Sequence, residues 1–362
     1  MAFSAATDGH VTLVQTTTVA TGETILAANR NSIYTASSYQ TLPKYIHRYA
    51  IQANGSLTGP EASINPRDYG GGANAWFVGP AVMDRSGQYL TVWLWHGYQP
   101  EYNVWQTYKV GADGALEFQG YDTINDSTGY GPQGGAISAL SGNDQFGYGV
   151  LSYAYGATQF VATKRNSNGT LIRLPDFTET GPVPNPEAGT PFEPYGFAAD
   201  SSNHLAVLVG LPFSGSLASS FWLASYTIDS STGAIESNNS YMNMPLVPIP
   251  DYDVDTLAVS PAGDFAAVGG YKGLQLFHFN GADPPTLDGG LLLADQVVNQ
   301  VAWDNDHHLY VLANTIVPPN ARSQYSLYVY TVTDAGITQA PGSPWNVPNG
   351  YGLMLVPRSM AM

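Results

Sequence analysis

One four-part unit recurs six times along this chain of 362 residues, and that recurrence limits the fold more than any other feature. Each copy opens with a short apolar strand, a polar turn and a second strand. The clearest are AVMDRSGQYLTV (81–92), FAADSSNHLAVL (197–208), LAVSPAGDFAAV (257–268) and VAWDNDHHLYVL (301–312). LAANRNSIYTA (26–36) and ISALSGNDQFGYGV (137–150) are looser versions. A third strand follows, alternating aromatic and β-branched residues: YIHRYAI (45–51), VWQTYKV (104–110), QFVATK (159–164), WLASYTI (222–228), LQLFHF (274–279) and LYVYTV (327–332). Period-two alternation aims one set of side chains at a neighbouring sheet. A turn then leads to a fourth strand through Asn54-Gly55, Asp113-Gly114, Asn168-Gly169, Thr232-Gly233, Asn280-Gly281 or Ala335-Gly336. Glycine there accepts the positive φ of a tight hairpin.

Four antiparallel strands, six times over, describe the blades of an all-β propeller spanning 1–362 as a single domain. The ends fit the same scheme. TDGHVTLVQTTTV (7–19) reads as a fourth strand without its three predecessors, and GLMLVPRS (352–359) as a first strand without its followers. Strands from both termini meeting in one place would close the ring and remove exposed edges. Six full repeats with such a closure give a six- or seven-bladed ring.

Charge narrows the partners. The net charge is −16 with only 12 Lys and Arg, and no cluster of cations is present to meet a phosphate backbone or an anionic membrane. No apolar run approaches the roughly 18–20 residues that span a bilayer. With no cysteine, disulfides, thiolate metal sites and Cys nucleophiles are excluded. The acidic, Lys-poor, Ser/Thr/Asn-rich composition points to an extracellular or secretory-pathway location. The four N-x-S/T sites, at Asn54, Asn125, Asn168 and Asn238, add little, since chance alone supplies about that many.

The VSPAGD turn (259–264), the Tyr/Phe-rich third strand before its Gly turn and the tail GITQAPGSPW (336–345) resemble the lactonase-type propellers. That group includes bacterial 6-phosphogluconolactonase-like proteins and fungal carboxymuconate cyclases, and is usually seven-bladed. The resemblance runs over essentially the whole chain and speaks for architecture, because these residues build turns and blade interfaces. None of the family's catalytic Arg, His and Glu positions carries over to a residue of this sequence. Fungal secondary-metabolism cyclases with lactonase-like propellers, including those guiding hetero-Diels–Alder additions, imply one direction for the chemistry.

Familiar catalytic signatures are missing: there is no G-x-S-x-G elbow, no H-E-x-x-H and no phosphate-binding loop. Asp251, Asp253 and Asp255 alternate as Ca²⁺ ligands can, yet lack the Gly and distal Glu of a calcium loop, so a solvated loop is the preferred reading and no metal is assigned. Asp304, Asp306, His307 and His308 fall in the turn between first and second strands and read as surface turn. A propeller's ligand face is built instead from the loops leading into each first strand and those joining second to third. Here they supply Trp76, Phe77, Trp95, Tyr98, Tyr153, Tyr155, Phe192, Tyr195, Tyr252 and Tyr351, an aromatic cup for substrate binding. Packing between blades is the competing role for each of them.

Ionisable groups on that face are few. His96, in WLWHGY, titrates near neutrality unless packed and satisfied. Glu193, in PFEPYGF, suits a general acid or base in an apolar mouth, or plain loop surface. Lys272 and Arg322 are the nearest cations. These four are the candidate catalytic residues. So few cations disfavour sugar phosphates and polycarboxylates and favour a neutral aromatic or polycyclic small molecule. The leading expectation is a cofactor-independent enzyme promoting cyclisation, isomerisation or elimination. The alternatives are a lactone hydrolase, which needs water activated by a metal or a carboxylate–His pair, and a non-catalytic binding scaffold.

Overall fold

A computed structural model describes residues 1–17, 23–37, 45–68, 75–96, 102–125, 134–152, 158–174, 192–210, 220–240, 242–249, 254–305, 307–315, 324–347 and 353–356. The six repeats form six antiparallel sheets whose strands hydrogen-bond in chain order. Blade one comprises β3 (Glu23–Ala28), β4 (Ser32–Ser37), β5 (Ile46–Ile51) and β6 (Leu57–Ile64), preceded by the hairpin β1 (Ala2–Ala5) and β2 (Val11–Gln15). Blade two is β7 (Ala75–Met83), β8 (Tyr89–His96), β9 (Tyr102–Val110) and β10 (Leu116–Asn125). Blade three is β11 (Gly134–Leu140), β12 (Phe146–Ser152), β13 (Thr158–Arg165) and β14 (Leu171–Arg173). Blade four is β15 (Glu193–Ala199), β16 (His204–Gly210), β17 (Phe221–Ile228) and β18 (Ile235–Glu236). Blade five is β19 (Val254–Val259), β20 (Phe265–Gly270), β21 (Gly273–Asn280) and β22 (Asp283–Leu292). Blade six is β23 (Gln296–Trp303), β24 (His308–Thr315), β25 (Tyr325–Thr333) and β26 (Gly336–Gln339), with β27 (Trp345–Asn346) also paired to β25. The chain is a six-bladed β-propeller. First strands of successive blades pack on one another around the centre.

Local chemistry repeats with the blades. At the end of each first strand a short polar side chain caps the turn by accepting backbone N–H groups. The caps are Asn29, Asp84, Ser141, Asp200, Ser260 and Asp304. Such side chains compete well with water for turn amides. All six hairpin glycines, Gly55, Gly114, Gly169, Gly233, Gly281 and Gly336, have positive φ. At Gly233 a second constraint acts: a Cβ there would lie 2.3 Å from the Phe146 ring of blade three. The Tyr148 hydroxyl donates to the Gly233 carbonyl at 2.8 Å, so this turn is also a blade-to-blade joint.

Every first strand also carries a register shift against its second strand, at Ile25/Ala27, Phe77/Ala81, Ile137/Ala139, Pro194/Gly196, Val254/Thr256 and Val298/Gln300. Bulges at such places re-aim side chains near the centre of a ring.

Between blades the core is continuous. Separate buried clusters join blades one and two, two and three, three and four, four and five, and five and six. A sixth joins blade six to both chain ends, through Val11 and Phe3 of the hairpin and Leu353 and Leu355 near the C terminus. Both chain ends therefore pack at the closure, but residues 353–356 form no strand, so the strand expected over 352–359 is not realised among the described residues. The predicted strand over 7–19 is realised as β2, but its partner is β1 rather than a blade strand. On the far side, the Gln15 side chain donates to the Leu57 carbonyl of blade one at 3.2 Å.

Candidate functional site

The strand order fixes two faces. Loops before each first strand, and those joining second to third strands, open on the mouth; the capped turns lie on the opposite rim. On that opposite rim the ring is latched. The Arg85 guanidinium of blade two donates to the carbonyls of Leu140 and Ser141 in blade three and of Asp200 in blade four. Behind it, the ends of the first strands of blades two to five line a cavity of about 290 Å³.

The expected site residues fall as follows. Glu193 is the first residue of β15, and Tyr195 sits on its bulge; both are strand residues, not loop residues. The Tyr195 hydroxyl donates to Glu193 Oε2 at 3.3 Å, and its ring stands edge-on to Phe221 at 5.0 Å. Burial, the Glu193 charge and that hydrogen bond push the Tyr195 phenol up to about 12, so at neutral pH it keeps its proton and donates. Gly210, opposite Glu193 in register, leaves room for this ring, since a Cβ there would come within 2.8 Å of it.

Lys272 occupies the β20–β21 turn with φ 71°, its Nζ 5.5 Å from the Tyr271 ring centre. It does not share a contact with Glu193 among the described residues. Trp76 and Phe77 lie on β7, and Trp95 and His96 on β8, where Trp76 pairs with Trp95 and Ala75 with His96. Their backbones thus stand at the mouth end of blade two, inside strands. Tyr98, Tyr153, Tyr155, Tyr252, Arg322 and Tyr351 lie outside the described residues, as do Asp251 and Asp253. Asp255 is on β19. Phe192, expected in the cup, is instead 3% exposed and packs on Trp222 in the core between blades three and four.

In the turn at 304–308, His307 is exposed as expected of a surface turn and Asp306 lies outside the described residues, while His308 departs from that reading. His308 is buried, and its Nδ1 lies 2.9 Å from Asp304 Oδ2, while Asp304 Oδ1 accepts the His308 N–H. Asp200 and His204 repeat this arrangement in blade four. These are turn caps with an imidazole as extra ballast, not ligand sets. No group of three or more His, Cys, Asp or Glu able to hold a metal occurs among the described residues.

A different carboxylate–imidazole pair was not singled out by the sequence. Glu23, the first residue of β3, has a side chain only 1% exposed and contacts Nδ1 of His47 on β5 through Oε1. Its Oε2 accepts from the Thr35 hydroxyl at 3.0 Å and faces the Tyr49 hydroxyl at 3.5 Å. Burial and the Glu23 charge raise the Tyr49 pKa, which keeps that phenol a donor. Unlike Asp200 and Asp304, Glu23 caps no turn: its hydrogen-bond donors are side chains.

His47 remains a quarter exposed, and its Nε2 has no partner among the described residues. A carboxylate on Nδ1 fixes the tautomer that leaves Nε2 able to take a proton. Glu23 and Glu193 open the first strands of blades one and four, so each stands at the mouth end of its blade. The signal that would have found the pair is the polar period-two run Tyr45, His47, Tyr49 in an otherwise apolar kind of strand.

No family model matches the chain, and no curated protein does. Solved structures match. The periplasmic gluconolactonase PpgL of Pseudomonas aeruginosa is 12% identical over 87% of this chain and 97% of that one, with a TM-score of 0.53. The β-propeller domain of Cps50 (Swd1) from Myceliophteria thermophila is 13% identical over 92% of this chain and 90% of that one, with a TM-score of 0.54. At such identities the likeness is one of fold, shared between two proteins with unlike names.

Proposed function

We propose that this propeller hydrolyses a neutral lactone, with His47 as general base and Glu23 as its orienting carboxylate. The observation that carries this is the buried Glu23 bound to Nδ1 of a partly exposed His47. Water gives a proton to His47 Nε2 as its oxygen bonds to the lactone carbonyl carbon. The resulting imidazolium is stabilised by Glu23. When the ring C–O bond breaks, that proton passes to the departing alkoxide, and a hydroxy acid results. Its carboxylate is repelled by a protein of net charge −16, which favours release. The same field, with 12 cations in all, disfavours phosphorylated lactones as substrates. The gluconolactonase named above supports the reaction class only through a shared fold. Its periplasmic name is in line with a secretory-pathway location for this chain.

The test is pH-stat hydrolysis of uncharged lactones by the wild type, His47→Ala and Glu23→Gln, with circular dichroism to check folding. A lost general base lowers kcat by about 10²–10⁴-fold. Unchanged kcat in folded His47→Ala would end the proposal.

A second reading, cyclisation or isomerisation of a neutral aromatic substrate, has its own observation in Glu193 and the protonated Tyr195 beside Phe221. It requires Glu193→Gln and Tyr195→Phe to abolish a ring-forming reaction while His47→Ala spares it.

A further inference from the structure

The joints of the ring are unequal. Each of the five blade-to-blade joints, and the joint from blade six to the chain ends, has its own buried apolar cluster. Among the described residues, the joint between those chain ends and blade one has none. There the face of blade one turned away from blade two carries Ile25, 44% exposed, and Tyr45, 36% exposed. Leu13, on the hairpin, is 49% exposed. These three are among the large apolar side chains exposed in the described residues.

The same face carries the dyad. Ile25 pairs with Thr35 and Thr35 with His47, so the three stand in one lateral row across β3, β4 and β5. Cross-strand neighbours in such a row have Cβ atoms about 5 Å apart. Tyr45 lies two residues before His47, on the same face, and its ring stacks on the imidazole at 6.1 Å and 13°. Ile25 and Tyr45 thus flank the proposed base from two directions. Of the described side chains in contact with Glu23, the hydroxyls of Thr35 and Tyr49 are both directed to it. A polyhydroxylated lactone would find few free partners here, whereas an alkyl chain would find apolar surface to cover.

Resting on the hydrolase reading, we infer that the seam between the N-terminal hairpin and blade one is the substrate slot, and that the substrate is a lactone bearing an alkyl substituent. Ile25 and Tyr45 cover the alkyl chain while the ring carbonyl lies against His47. Substrate choice is then set at the closure of the ring rather than by the aromatic residues of its mouth.

The experiment compares kcat/KM for δ-decalactone, δ-valerolactone and gluconolactone. The wild type is expected to prefer δ-decalactone over δ-valerolactone by about tenfold or more, as several buried methylenes allow, and to turn over gluconolactone least. Ile25→Ser is expected to reduce the decalactone-to-valerolactone ratio about tenfold. Leu287→Ser, at a leucine of blade five that is 52% exposed, leaves that ratio unchanged.

A second measurement needs no turnover. The chain has no cysteine, so Ile25→Cys creates a single alkylation site. Its maleimide labelling is expected to slow in the presence of δ-decanolactam, which is not hydrolysed, and not with δ-valerolactam. Protection without any lactone hydrolysis would keep the slot and end the hydrolase reading. Hydrolysis that is indifferent to chain length, or to Ile25→Ser, or unprotected labelling at Ile25→Cys, would overturn the slot and leave that reading standing. A preference for gluconolactone would overturn the substrate class.

Discussion

Arg85→Ala is the substitution whose consequence follows most directly from the ring. The side chain leaves the β7–β8 turn and reaches two neighbouring blades. Nη1 donates to the carbonyls of Leu140 at 3.2 Å and Ser141 at 2.5 Å, and to Asp144 Oδ1 at 3.0 Å. Nη2 donates to Leu140 at 3.1 Å, Ala199 at 3.3 Å and Asp200 at 2.6 Å. A charged hydrogen bond that is fully buried contributes about 1.5–3 kcal/mol. Arg85 is 36% exposed, however, so water replaces part of what is lost, and the contacts share one side chain's entropy. The expected loss is about 2–3 kcal/mol in total.

Arg85→Lys should recover less than half of that, because one ammonium cannot span the acceptors of both blades. The pH dependence has a definite sign. Burial raises the Asp144 carboxyl pKa above its ordinary value, and Arg85 opposes that rise. Without Arg85 the folded-state pKa climbs further, which penalises the ionised form at neutral pH and not below the unfolded value. The destabilisation should therefore be larger at pH 7 than in acid. Urea unfolding followed by circular dichroism reads this as a fall in Cm at unchanged m. A change under 0.5 kcal/mol at pH 7, or a larger effect in acid, would refute the latch as drawn.

Two further outcomes are expected. Tyr226 is 1% exposed and its hydroxyl has no hydrogen-bond partner among the described residues, so Tyr226→Phe should leave stability unchanged or raise it by about 1 kcal/mol; a loss beyond 1 kcal/mol on urea unfolding would mean the hydroxyl is bonded. Alkaline titration should also be blocked at particular phenols. Burial, with neighbouring Tyr328, pushes Tyr330 up to about 12, and burial raises Tyr148 and Tyr226 further. The unfolded chain then releases these protons first. Stability is full below pH 10 and falls by about 1.4 kcal/mol per group per pH unit above it. Reversible titration of all 24 tyrosines near pH 10 with unchanged circular dichroism would contradict this.

The blades were legible because their determinants are local. A strand of LAVSPAGDFAAV type, its capped turn and a Gly hairpin are decided within about a dozen residues, and repetition makes the pattern hard to mistake. What escaped were the contacts those local units make with each other. Gly233 was readable as a positive-φ glycine, but not as the surface on which Phe146 of the preceding blade rests. Arg85 read as one residue of a polar turn, though its guanidinium ties three blades. Phe192 read as a mouth aromatic because it precedes a first strand, and became core because Trp222 lies beside it.

The dyad was illegible for a sharper reason. Glu23 and His47 are separated by a whole second strand, and their meeting depends on two registers at once: Glu23 with Ser37 across β3–β4, and His47 with Thr35 across β4–β5. A register slip of one residue in either pair would send Glu23 or His47 to the opposite face, where blade two packs. The Ile25/Ala27 bulge is part of that arithmetic. Below it, Ala27 and Leu26 join the core with blade two, while above it Glu23 and Ile25 share the face toward the seam. On the proposed reading, deleting Thr24 would place Glu23 opposite Ala36, on the face toward blade two, and should separate it from His47 and remove lactone hydrolysis, whereas deleting Leu26, the unpaired residue of the bulge, leaves the Glu23–Ser37 and Ile25–Thr35 pairs in place.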